Sequence, residues 1–67
     1  MADFRIHSST AVAGIALIEP LHEDAMHFLE DECHLRVMNN GAAPLDKEAV
    51  GDFISDAASV WLEAEYL

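Results

Sequence analysis

Four groups of residues in this chain are of types that do chemistry. The first is a histidine–acid row, Glu23, His27, Glu30, Asp31 and His34. On a helix these positions share one side, with His27 and His34 two turns apart and carboxylates between them. Imidazoles and carboxylates at that spacing suit a divalent cation or a switch working near neutral pH. The spacing is equally that of ordinary surface pairs, Glu23 with His27 and Glu30 with His34, and this is the stronger assignment. His22-Glu23 is followed by Asp24-Ala25-Met26, so the second histidine of the zinc-protease pattern is missing. No metal and no cofactor is assigned.

The second group is Cys33, the one cysteine. A nucleophilic thiol needs a lowered pKa and a nearby base. Asp31 and Glu32 act in the opposite direction, and Cys33 lies on an apolar stripe, so it is read as core. The third is paired carboxylates. The acids spread along helix faces, with no pattern that places two of them in a dry cleft. Neither a phosphate-cradling glycine loop nor a nucleophile elbow occurs. The residues point away from an enzyme.

The fourth group is the acidic surface as a whole. There are 13 acids against 3 Lys and Arg, a formal net charge of -10. Such a chain repels nucleic acid and anionic membrane and suits a basic surface. Six acids lie between Glu19 and Glu32, six between Asp46 and Glu65, and the last is Asp3. Rows of carboxylates at helical spacing imitate duplex phosphates or match a groove lined with Lys and Arg. A solvated face that only keeps the protein soluble is the alternative. The expected binding residues are Glu48, Asp52, Asp56 and Glu63 first, then Glu23, Glu30 and Asp31.

The elements that must position these residues are few. With 67 residues, the chain makes one small domain that buries a modest fraction of its surface. Its 52% hydrophobic content suffices for a core. A single cysteine excludes an internal disulfide, so a dense core or a partner must supply stability, and a homodimer is one such partner. The start lacks the basic-then-apolar order of a signal peptide, and the longest apolar run is far short of a membrane span. A cytoplasmic location is the default expectation.

Phe4–Ser8 alternates as a short strand. Gly14–Ile18 reads as a second strand, forming a hairpin with the first. A helix over Ala11–Ile18, capped by Ser9, is the alternative. Pro20 suits the first turn of a helix running to about His34, with Leu21, Ala25, Phe28, Leu29 and Cys33 inward. Leu35–Met38 alternates weakly and offers an optional third, edge strand. Asn39-Asn40-Gly41 is a turn and Ala42-Ala43-Pro44 a linker. Asp46 caps a last helix over Leu45–Leu67, with Leu45 stapled onto Val50. Val50, Phe53, Ile54, Ala57, Trp61 and Ala64 form its inner stripe, opposite Glu48, Asp52, Asp56, Ser59 and Glu63. Gly51 is slack or allows a close approach. Tyr66 falls among the carboxylates, which suits an interface anchor, with a frayed C-terminus as the equal alternative. The expected class is α+β, a small antiparallel sheet of two to three strands with two helices on one face, in the order β-β-α-(β)-α.

Ile15-Ala16-Leu17-Ile18-Glu19-Pro20-Leu21, followed by Ala25 and Phe28-Leu29, resembles the strand-into-helix opening of small uncharacterised proteins from phages and mobile elements. That resemblance brings no catalytic residues. It implies a small protein that binds and blocks a host protein, as anti-CRISPR proteins that mimic DNA in charge do. The function it suggests is occupation of a basic, nucleic-acid-binding surface such as that of a CRISPR effector.

Overall fold

The computed structural model describes residues Ala2 to Tyr66. The chain is an α+β domain, as expected, built on a mixed sheet of four strands in the order β3-β2-β1-β4. Strand β1 (Phe4–Ser8) and strand β2 (Ile15–Pro20) form the expected antiparallel hairpin, with Ile6 opposite Ile18. The strand reading of residues 15–18 thus holds over the helical one. In the connection, Ser9 Oγ accepts from the Ala11 and Val12 amides at 3.2 and 3.1 Å. Gly14 takes a left-handed φ of +80° that glycine adopts freely.

Beyond the hairpin, several elements depart from the sequence pattern. Pro20 closes β2 opposite Phe4 instead of opening a helix. Helix α1 (Glu23–His27) is short and continues as a π-helical turn over Phe28–Glu32. Its N-cap is His22, whose Nδ1 accepts from the Ala25 amide at 3.3 Å. The helix ends before His34, which has a positive φ of 56°. Leu21 is consequently exposed rather than inward.

Leu35–Met38 is not a strand, although Leu35 and Val37 pack against the core. The third strand is instead β3 (Ala43–Asp46), which aligns Leu17 with Pro44. A proline is tolerated there because β3 is a sheet edge, where one row of amides has no partner strand. The Asn39-Asn40-Gly41 turn forms as expected, with Asn40 Oδ1 accepting from the Ala42 amide at 3.1 Å. A 3-10 turn (Lys47–Ala49) leads into helix α2 (Val50–Ser59). Asp46 makes no side-chain cap, and Leu45 belongs to β3. Gly51 has no neighbour within 4 Å of a notional Cβ, so it serves no close approach and costs helix propensity of about 1 kcal/mol.

The last helix stops well short of Leu67. Its end is a Schellman closure: Trp61 N–H donates to the Ala58 carbonyl at 3.1 Å and Leu62 N–H to the Ala57 carbonyl at 2.9 Å. Trp61 occupies the left-handed position of that motif, φ 66°, where glycine is the usual residue. The reversal sends Ala64–Tyr66 back as β4, parallel to β1 with Phe4 beside Ala64. Trp61 is therefore 92% exposed, not core, and Ile54 is at the surface too. No helix among the described residues is long and apolar enough to cross a membrane.

The core lies between one sheet face and the helices. Phe4, Ile6, Ala16, Ile18 and Ala43 meet Ala25, Phe28, Leu29, Val50, Phe53 and Ala57. Phe4, Phe28 and Phe53 pack ring against ring, with centroids 5.1 to 6.1 Å apart. Asp3 ties the periphery. Its Oδ1 meets His22 Nε2 at 2.5 Å, and its Oδ2 accepts from the Glu63 amide at 2.8 Å. Because His22 Nδ1 is an acceptor at the cap, the proton of the neutral ring sits on Nε2, which donates to Asp3.

Two outcomes follow. Phe53→Ala lowers stability by about 3–5 kcal/mol, most of what so small a domain has, whereas Trp61→Gly does not lower it; urea unfolding compares them. The Asp3 carboxyl is held below its ordinary 3.8, first by the Glu63 amide and then by His22. A depressed carboxylate contributes above the ordinary value and loses its effect as pH falls through the lowered one. The stability gap between the wild type and Asp3→Asn is therefore open at pH 7 and closes toward pH 2.

Candidate functional site

Helix α2 has a buried stripe, Val50, Phe53 and Ala57, at the spacing of one helical face. Its two flanks differ. On one, Asp52 and Asp56 are four residues apart, both exposed. They face the π turn of the first helix across a hollow of about 300 Å³ that also involves Glu32, Cys33, Leu35, Leu45 and Phe53. Further along, Glu32 and Asp56 share a second hollow with Phe28 and Val60. A third continues to Asp24, His27 and Asp31. Together these make one crease between the helices, apolar on its floor and carboxylate on its rims.

The structure brings together part of the expected binding set. Asp52 and Asp56 line the crease, and Asp31 closes its far end. Glu32, which sequence reasoning passed over as a binding residue, is shared by all three hollows. Its position depends on the π turn, which no periodicity announces. Glu48 is exposed on the 3-10 turn and Glu30 on the π turn, without a place in these hollows. Glu63 is not on α2. It precedes β4 and lies with Ile54 and Ala58 on the other flank. Among the described residues, Glu30, Glu32, Glu48, Asp52 and Asp56 have no ion-pair partner.

The histidine row is broken. His27 sits between Glu23, 3.4 Å from Nε2, and Asp31, 3.5 Å from Nδ1. His34 lies past the helix end, so no two-turn histidine pair forms, and Asp31 takes the second contact of His27. Among the described residues no group of three or more His, Cys, Asp or Glu is arranged to hold a metal ion. The Cys33 thiol is pushed above its ordinary value by burial, then by Asp56 and Glu32. It is partly buried against the core, and a raised thiol is a poor nucleophile at neutral pH.

Hydrogen bonding to Glu23, helped by the charges of Asp31 and Glu23, raises the His27 imidazole above 6.5. A raised histidine stabilises below its ordinary value, and the effect is lost as pH rises through the higher one. An NMR titration finds the His27 midpoint above 6.5, and Glu23→Gln moves it back toward that value.

Comparison with protein-family models, with curated proteins and with solved structures finds no match to this chain.

Proposed function

We propose that the protein is a non-enzymatic binding protein that occupies a basic surface of a partner protein with its acidic crease. The observation that carries this is the placement of Glu32, Asp52 and Asp56 around an apolar floor, with no cation among the described residues paired to any of them. Lys and Arg side chains have the matching form, an apolar stem and a charged head. Leu35, Leu45 and Phe53 take the stem, and the rim carboxylates take the head. A partner that binds nucleic acid presents such side chains in rows. Blocking that surface, as a DNA-mimicking inhibitor of a host protein such as a CRISPR effector does, is the biological form this activity takes.

Attraction between exposed charges is screened as the Debye length falls from about 10 Å at 0.1 M salt to about 3 Å at 1 M. Tagged protein passed through a bacterial lysate retains a nucleic-acid-handling protein that elutes sharply at moderate salt. The Asp52→Lys/Asp56→Lys variant keeps its urea midpoint, since both residues are exposed, and loses that retention. Unchanged retention by the folded variant overturns the proposal.

A further inference from the structure

The opposite flank of α2 carries a second surface with a different chemistry. Among the described residues strand β4 is a sheet edge, paired with β1 alone. The Phe4 amide donates to the Glu63 carbonyl at 3.0 Å. In a parallel ladder the bonding groups of successive residues alternate in direction, so the peptide groups of Ala64 and Tyr66 face the open edge. The two edges of the sheet are unequally guarded. β3 carries Pro44 and runs into Lys47, two devices that discourage added strands. β4 has neither.

Beside the β4 edge runs a groove of about 470 Å³ between the strand and α2, lined by Ala2, Ile54, Ala58, Leu62 and Ala64, with Glu63 and Glu65 also in its wall. An edge with outward peptide groups next to an apolar groove is the geometry that captures an extended segment as an extra strand. Ala64 and Tyr66 share the sheet face that looks toward the helices, and Glu65 takes the other face. Among the described residues Glu65 has no ion-pair partner.

Charge decides the occupant. A second copy added edge to edge about a two-fold axis sets Glu65 against Glu65 or Glu63 of its twin. It also joins two chains that each carry a formal net charge of -10. A strand with Lys or Arg at alternate positions places cations beside Glu65 instead, and its apolar residues fall into the groove. We infer that β4 and the Ile54–Ala58 flank of α2 take up an extended segment of a partner protein, alternating apolar and Lys or Arg residues, as a fifth strand of the sheet. The site lies across α2 from the acidic crease and does not depend on it. Trp61, 92% exposed, lies three residues ahead of β4 in the chain.

The test uses an acetylated (Val-Lys)4 amide as probe, with (Val-Glu)4 and a (Val-Lys)4 N-methylated at alternate residues as controls. Amide shifts on titration centre on Glu63–Tyr66, exchange at Ala64 and Tyr66 slows, and Trp61 fluorescence changes. N-methylation, which keeps charge but blocks one backbone edge, weakens binding about tenfold or more, as does Ile54→Glu. The Asp52→Lys/Asp56→Lys variant binds the probe through β4 as the wild type does. Three results overturn the inference: no binding, shifts centred on Asp52 and Asp56 with equal affinity for the N-methylated probe, or concentration-dependent protection of Ala64 and Tyr66 without any peptide, which assigns the edge to a second copy.

Discussion

The structure depends on the closure of three phenylalanine rings. Phe4 comes from the first strand, Phe28 from the turn after the first helix and Phe53 from the last helix. No disulfide supports them, since Cys33 is the only cysteine, so these contacts must hold the helices to the sheet. A domain of this size has a stability of only a few kcal/mol, and one such ring is worth a large share of it. The closure also fixes the roll of α2. Once Phe53 points at Phe4, Asp52 and Asp56 are committed to the flank facing the π turn, and Ile54 and Ala58 to the flank facing β4. The two flanks of α2 are thus set by one aromatic contact.

Charge is handled in two ways. No charged or polar side chain is buried among the described residues, so the negative charge lies on the surface, where each carboxylate is solvated at little cost. Among the described carboxylates, Asp3 ties together parts of the chain that are far apart in sequence. It accepts from a backbone amide sixty residues away and from the histidine that caps α1. That arrangement pins β4 to β1 and the first helix to the β2 exit through a single side chain. The carboxylates of the crease have no such duty, and their charge faces outward unspent.

Legibility from sequence followed the range of the forces involved. The hairpin, the Asn39–Gly41 turn and the Val50–Phe53–Ala57 stripe were readable, because each is written in local alternation, turn chemistry or helical period. The α+β class followed from them. What failed was set by tertiary contact. Ala43–Asp46 became a strand through pairing with β2, despite Pro44, while the better alternation of Leu35–Met38 went into core packing. The three residues of β4 pair with a strand sixty positions earlier, which no local window contains. The break at Trp61 was hidden because the residue that turns the chain is not glycine. Of the expected binding residues, Asp52 and Asp56 lie where the helical period placed them, because they are on α2. Glu63 was misplaced because that helix ends before it.

Trp61 joins fold and function. Holding a bulky residue in the left-handed region costs roughly 1–2 kcal/mol, and at 92% exposure the indole recovers almost nothing from burial. Glycine would make the same closure without that strain. A local rule broken without structural return is the usual mark of a site whose reward lies in a complex. The reversal Trp61 strains to make is what presents the β4 edge. The same reversal separates Glu63 from the acidic flank and leaves Ile54 and Ala58 beside an open edge. The strained turn therefore divides one amphipathic pattern into two flanks, an acidic one facing the π turn and one facing β4.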